Sequence, residues 1–554
     1  MQSAPATEDC TFSLFANANL KSLRSDRHYQ PACQRGVIFL LQVRLNTLTH
    51  RKDSRIILAD FDFVLNPGDK AVLIGEEGNG KSTLLKWIYN PALIEDYADY
   101  DGSCTTQGEV LGYLPQELRE EDKGKTVYEY ISCFPAFTEA NPSELYKTAA
   151  EIGFPVSLFY SDQQMRSLSG GERVKVQMAQ LLLSRPDILL LDEPSNDIDL
   201  KTLHWLETLM NRFTGAVLYI SHDETLIERT ANRVILIEQL RRKSKSKVTV
   251  SNVPFCVFTR ERQLALVKQE QEAYSERREE RKAKERFHRI EQAVESDLRN
   301  ISRQDPHGGQ LLKKKMKSVK ALEKRYDREH SMMTEMPEAE SPITIRFGRQ
   351  KALPAGKTVI DFKLPELETA DGRILSQNIE LRLKGPEKIC IVGENGAGKT
   401  TLIKKLAEEL SLRQDLAVCY MPQNYEDTLP PEQTPVEFLA PSGEKEDMTM
   451  VRTYLGAMKY TEEEMSHPVR ELSGGQKAKL LLLQISLTQA DVLILDEPTR
   501  NFSPLSGPQV RRILKQFPGA ILSVSHDRKF IAEVCDKVYS LTDKGLTEFE
   551  KEKL

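Results

Sequence analysis

Gly75-Glu76-Glu77-Gly78-Asn79-Gly80-Lys81-Ser82 and Gly393-Glu394-Asn395-Gly396-Ala397-Gly398-Lys399-Thr400 both fit G-x-x-x-x-G-K-[S/T], the pattern of a phosphate-binding loop. Each follows a short apolar run that reads as a buried strand, Ala71 to Ile74 and Lys388 to Val392. Each opens into a helical pattern, beginning Thr83-Leu84-Leu85 and Thr401-Leu402-Ile403. Gly75, Gly78, Gly80 and their counterparts Gly393, Gly396, Gly398 let backbone N–H groups turn inward around an anion. The helix N-terminus, at Ser82-Thr83 or Thr400-Thr401, adds the positive end of its dipole. Lys81 and Lys399 are expected to reach the terminal phosphates, and Ser82 and Thr400 to hold Mg²⁺.

Four further motifs recur in the same order in both halves. Short strands deliver Gln116 (Leu111-Gly112-Tyr113-Leu114-Pro115-Gln116) and Gln423 (Val418-Cys419-Tyr420-Met421-Pro422-Gln423). One such Gln reads as an ordinary strand end; its repetition favours a contact with Mg²⁺ or the attacking water. Leu168-Ser169-Gly170-Gly171-Glu172 and Leu472-Ser473-Gly474-Gly475-Gln476 each precede an apolar-periodic helix. There Ser169, Gly171, Ser473 and Gly475 offer a hydroxyl and N–H groups to an anion. Ile188 to Leu191 and Val492 to Leu495 read as buried strands, each ending in two carboxylates: Asp192-Glu193 and Asp496-Glu497. The strand carboxyl end is where open α/β sheets bind ligands. Asp192 and Asp496 suit the Mg²⁺ shell, Glu193 and Glu497 a base that polarises water. Ser221-His222-Asp223 and Ser525-His526-Asp527 end the series, with His222 and His526 placed to contact the terminal phosphate. Ser169 and Ser473, Asp192 and Asp496, and His222 and His526 are each separated by 304 positions, and Lys81 and Lys399 by 318. The chain is therefore a duplicated nucleotide-hydrolysing module.

At 554 residues several domains are expected. The net charge of −5 excludes no partner, because local patches decide. None of the eight cysteines forms a C-x-x-C pair, so neither a zinc site nor a disulfide framework is indicated. The longest early apolar run, Val37 to Leu41, is far short of a membrane span, and residues 1–36 lack a signal-peptide design.

Phosphate loop, Gln, L-S-G-G-[QE], strand-Asp-Glu and His, in that order and twice, resemble the ATP-binding cassette superfamily over residues 40–240 and 343–545. Two tandem cassettes, no membrane span and a charged linker resemble its ABC-F branch. The resemblance implies an α/β fold with two P-loop ATP-binding cassette domains joined by an α-helical hairpin linker. The expected boundaries are a disordered tail over 1–36, cassettes over 37–254 and 341–554, and the linker over 255–340. It implies an Mg²⁺-dependent ATPase, cytoplasmic and monomeric, whose cassettes pair within the chain around two ATP molecules. The first site then combines Lys81, Ser82, Gln116, Asp192, Glu193 and His222 with Ser473 and Gly475. The second combines Lys399, Thr400, Gln423, Asp496, Glu497 and His526 with Ser169 and Gly171. It further implies binding to the ribosome, through rRNA and P-site tRNA near the peptidyl-transferase region, as a translation factor or an antibiotic-resistance protein. The alternative is an ATP-binding subunit working with separate membrane subunits. Three departures stand out: Glu172 in place of Gln, Ser503 where an Asp is usual, and no aromatic evident at either adenine position.

The linker carries its own signal. Phe287, Ile290, Val294, Leu298 and Ile301, and then Leu312, Met316, Val319, Leu322 and Tyr326, recur at helical spacing on either side of Asp305-Pro306-His307-Gly308-Gly309. Two helices that pair as a hairpin are expected, the first running from about Arg260 to Ile301 and roughly 60 Å long. Between Arg299 and Arg328, ten Lys or Arg face three acidic residues, a net +7. That segment is the expected phosphate-backbone contact. Residues Ile56 to Leu58 and Phe61 to Leu65 read as two paired strands.

Overall fold

The computed structural model describes residues 40–52, 54–240, 245–300, 310–321, 352–369 and 372–551, and Leu40–Leu554 form one compact unit. The tail expected over 1–36, the helix break at 305–309 and the linker boundary near 340 lie outside the described residues, as does the basic segment at 301–309 and 322–328.

Each half is built on a six-stranded sheet. In the first the order is Leu111–Leu114, Ile188–Asp192, Ala216–Ile220, Lys70–Ile74, Arg233–Leu240, Lys245–Ser251. In the second it is Val418–Met421, Val492–Asp496, Ala520–Val524, Lys388–Gly393, Lys537–Thr542, Gly545–Glu548. The first five strands of each are parallel and the sixth is antiparallel. The central strands Ile188–Asp192 and Val492–Asp496 are buried at every residue. That burial is why they read as unbroken apolar runs rather than alternating ones. One face of the first sheet packs on the helix Lys81–Tyr89 through Leu84, Leu85 and Ile88, the other on Gly170–Leu183 and Leu200–Arg212 through Met178, Leu206 and Met210. Lys399–Ser411 and Gly474–Leu487 take the corresponding places in the second half.

An antiparallel sheet of Ile56–Leu65, Leu41–His50 and Ala98–Thr106 covers the first phosphate loop's side of the core. The two paired strands expected at 56–65 are instead one strand, Ile56–Leu65, whose partner is Leu41–His50. The turn-favouring residue between Leu58 and Phe61 is Asp60. Asp60 adopts φ 52° and drops out of the pairing register, so the strand bends without reversing.

The linker helix runs Phe255–Asn300, 46 residues or about 69 Å, starting five residues before the expected point because Phe255 and Phe258 are anchored in the first core. A second helix spans 310–321. Of the expected stripes, Val294 and Val319 are buried, whereas Ile290 is 52% exposed. Among the described residues no helix is long and apolar enough to cross a membrane.

Candidate active site

Both phosphate loops sit at the carboxyl ends of the parallel strands. In each the lysine curls back over its own loop: Lys81 Nζ donates to the carbonyls of Gly75 and Glu76 at 2.9 Å each, and Lys399 Nζ to those of Gly393 and Glu394 at 2.9 Å each. Gly80 caps its helix at φ 82°, and a Cβ there would overlap Ile57 Cγ2, so only glycine closes the loop. Ser169 and Ser473 cap the helices Gly170–Leu183 and Gly474–Leu487, with Glu172 and Gln476 completing a reciprocal capping box. The Glu172 departure is thus absorbed locally, since Glu and Gln serve that box equally.

Glu193 and Glu497 both take the left-handed conformation, at φ 50° and 52°. Each is pinned by donating its N–H to the adjacent strand, to Ile220 O at 3.1 Å and Val524 O at 2.9 Å. Strain held identically at the same place in both halves marks these turns as functional candidates.

The residues present fit a divalent cation. Ser82 Oγ donates to Asp192 Oδ1 at 2.9 Å, putting a hydroxyl and a carboxylate side by side. Burial, opposed by the Ser82 hydrogen bond, raises the Asp192 pKa to about 6. In the second half Asp496 is 1% exposed, and neither carboxylate oxygen has a hydrogen bond of ordinary geometry, although Thr400 acts to lower its raised pKa. Buried carboxylates with spare lone pairs, facing phosphate loops, suit Mg²⁺ with phosphate oxygens and water completing the shell.

The two sites differ in their inner electrostatics. His222 Nε2 is 2.9 Å from Glu193 Oε1, and its Nδ1–H donates to Phe502 O of the other half at 2.7 Å. Burial works to raise the Glu193 pKa, but His222 outweighs it and holds the carboxyl below its usual value; His222 in turn is raised. In the second site His526 Nε2 is 3.9 Å from Glu497 Oε1. There burial, with Asp496 adjacent, pushes Glu497 up to about 8. Burial and Lys399 push His526 down to about 3.

A cleft of about 860 Å³ in the second site brings Lys399, Thr400, Thr401, Gln423, Asp496, Glu497 and His526 together with Ser169 of the other half. Gly171 is close by but turned against Thr202, outside the lining. The first site is divided. A cleft of about 510 Å³ holds Gly78, Gly80, Lys81, Ser82, Thr83, Gln116, Glu193 and His222. Ser473 and Gly475 line a separate pocket, because the Glu77 carboxylate lies between and accepts the Gly475 N–H.

Several residues at these sites escaped the sequence reading. His50, Ile57 and Tyr97 line the mouth of the first cleft, and Thr369, Arg373 and Leu375 that of the second. Asp197 receives Arg500 Nη1 at 2.9 Å and Gln423 Nε2 at 3.4 Å, and its carbonyl receives Asn395 Nδ2 at 2.5 Å. Asp197 and Arg500 follow the two Asp-Glu turns closely, a signal that could have found them; His50, Ile57, Tyr97, Thr369, Arg373 and Leu375 carry no such local signal.

A family model described as ABC transporter matches residues 58–196 and 376–500, once in each half. The chain is 28% identical to the probable ATP-binding protein YheS of Escherichia coli, across 91% of this chain and 79% of that one. It is 28% identical to the ATP-binding protein Uup of Buchnera aphidicola (88% and 78%) and 26% identical to the tylosin resistance ATP-binding protein TlrC of Streptomyces fradiae (88% and 95%). Among solved structures, the archaeal ribosome recycling factor aABCE1, in complex with the ribosomal stalk protein aP1, superposes with a TM-score of 0.54 at 18% identity, covering 91% of this chain and 90% of that one. This last likeness is one of fold.

Proposed function

This chain belongs to the ATP-binding cassette superfamily, with two cassettes in tandem and relatives of the ABC-F type, and from that premise we propose that it is an Mg²⁺-dependent ATPase that acts on the ribosome. The observation that carries this reading is the pairing of two phosphate-loop sites in one unit with a 46-residue charged helix set between them. The helix reaches far beyond what joining two cassettes requires, and its successor at 310–321 presents Lys313, Lys314, Lys315, Lys317 and Lys320 to solvent. Clustered exposed cations on a rigid arm suit a phosphate backbone, here rRNA and P-site tRNA. That TlrC is named for tylosin resistance, and that a solved fold neighbour is a ribosome recycling factor, support the same direction.

In this proposal residues 37–254 and 341–554 act as cassettes and 255–340 as the arm, in a cytoplasmic monomer. Mg²⁺ bound with ATP supplies positive charge at the phosphates. Lys81 and Lys399 leave their loop carbonyls to bind the terminal phosphates, while Ser82, Asp192 and Gln116, and Thr400, Asp496 and Gln423, hold the cation. Glu193 and Glu497 orient water and take its proton as the terminal phosphoryl is transferred, with His222 and His526 beside them. Ser169 and Ser473 close each site from the opposite half. Nucleotide binding fixes the arm against RNA, and hydrolysis frees it.

The test is steady-state ATP hydrolysis with and without purified bacterial ribosomes. Stimulation by ribosomes, abolished in Lys81→Ala/Lys399→Ala, is expected. Hydrolysis indifferent to ribosomes, together with co-fractionation of the protein with membranes, would support the transporter-subunit alternative instead.

A further inference from the structure

Two buried ion pairs join the halves away from the nucleotide clefts. Arg511 donates to Glu224 Oε1 at 2.6 Å and Oε2 at 3.1 Å, and Arg528 donates to Glu207 Oε1 at 2.5 Å. All four residues are at most 7% exposed. The repeat offset of 304 relates Glu207 to Arg511 and Glu224 to Arg528. The alignment is firm around them: Leu206 matches Val510, Phe213 matches Phe517, and Asp223 and Asp527 cap matching helices. The two ion pairs are therefore one contact made twice. Each joins the helix after the Asp-Glu turn of one half to the first residue of the helix after the His of the other.

The signs, however, are not shared out evenly. The first half supplies both acids and the second supplies both bases. Lys529, at the position of Thr225, extends the pattern by reaching Glu224 at 3.2 Å and Glu228 at 2.6 Å. Gly507 stands where the first half has Leu203, and a side chain there would overlap Glu224. Within their own halves, Glu207 also meets Arg229 at 3.2 Å and His204 at 3.7 Å, and Arg511 meets Glu533 at 3.0 Å. Arg229, His204 and Glu533 are about half or more exposed, so solvent screens them.

We propose that this arrangement is a pairing code: it admits the other half of the chain as the partner of each cassette and rejects the like cassette of a second copy. Joined to its own kind, the first half would bury Glu207 against Glu224, and the second Arg511 against Arg528. Arg528 also lies 3.5 Å from Asp223, whose counterpart Asp527 is an acid too, so the code rests on the Glu207/Arg511 and Glu224/Arg528 positions. Buried like charges that keep only partly screened partners are costly, so the rejection is built into the same atoms that make the correct contact.

The full-length chain tests this in a Lys529→Thr background. Glu224→Arg and Arg511→Glu alone should each lower the melting temperature by at least about 5 °C. Together they restore an Arg–Glu contact within the chain and should recover most of that loss. But each half then carries one acid and one base, so like halves become compatible. Light scattering should therefore show a concentration-dependent dimer for this double reversal. Reversing all four (Glu207→Arg, Glu224→Arg, Arg511→Glu, Arg528→Glu) keeps the code with exchanged signs and should stay monomeric. If the single variants fail to fold, the double and fourfold reversals still decide. A double reversal as monomeric as the fourfold one, or no more stable than the singles, would overturn the proposal.

Discussion

His222 stands between the halves, its Nε2 2.9 Å from Glu193 Oε1 and its Nδ1 donating to the Phe502 carbonyl at 2.7 Å, while His526 has no equivalent bond and sits 3.9 Å from Glu497. The Nδ1 of His526 is buried without a hydrogen-bond partner. The first carboxylate is thus already paired with its histidine, and the second is not. The two sites should hydrolyse ATP at different rates. Residual turnover of Glu193→Gln and Glu497→Gln, measured separately, should differ by at least about 3-fold, a modest fraction of what one positioned charge contributes. Equal residual rates would count against the asymmetry.

Glu77 in the first phosphate loop occupies the position of Asn395 in the second, and its carboxylate takes the N–H of Gly475. A carboxylate at that helix N-terminus competes with the phosphate expected there. Glu77→Asn, which makes the first loop match the second, should tighten ATP binding to the first site by about 3- to 10-fold, equivalent to about 1 kcal/mol. Titration with a fluorescent ATP analogue in a Lys399→Ala background isolates that site. Unchanged or weaker binding would show that Glu77 helps rather than competes.

Burial, opposed mainly by Arg528, raises the Asp223 pKa to about 6 from its ordinary value near 3.8. A carboxyl whose folded pKa lies above its unfolded one holds its proton more tightly when folded. Its contribution is therefore complete below about pH 4 and is lost as the pH rises through about 6. Asp223 also caps the helix Glu224–Thr230 by accepting the Leu226 N–H at 2.7 Å, a role Asn fills equally well. Asp223→Asn should consequently match the wild type at about pH 3.5 and exceed it by about 1–3 kcal/mol at pH 7.5. Denaturant melts at the two pH values give the difference; a gap that shrinks on raising the pH would refute the assignment.

The exposed lysines of the helix at 310–321 should govern salt dependence rather than folding. Replacing Lys314, Lys315 and Lys317 with Gln should weaken ribosome binding. It should also flatten the plot of log affinity against log salt by roughly 2–3 units of slope. A weaker affinity with an unchanged slope would mean that these side chains do not meet phosphates.

The parts of this molecule that were legible in its sequence are those fixed by backbone chemistry. Gly80, Lys81 and Ser82 announce a loop because glycine at Gly80 is required by its positive φ and by Ile57, and Asp192-Glu193 announces a strand end because two carboxylates follow a fully buried apolar run. What required the structure depends on which surfaces meet. Nothing local in Glu77 says that it touches Gly475, and His50 reaches the first cleft from an antiparallel sheet, with Tyr97 just before that sheet's strand Ala98–Thr106. Glu207 and Arg511 were readable in principle. Comparing the halves at the 304-residue offset exposes a Glu-to-Arg exchange on otherwise matching helices, but only the distances show that the two exchanged positions answer each other across the interface.

The central claim, an ATPase that grips the ribosome when its cassettes are nucleotide-bound, is tested most directly by co-sedimentation. Glu193→Gln/Glu497→Gln, which should bind ATP without hydrolysing it, is spun with bacterial ribosomes in ATP and in ADP. The account predicts that the protein pellets with ribosomes in ATP and stays in the supernatant in ADP. Folded, ATP-loaded protein that stays in the supernatant under both conditions would contradict it.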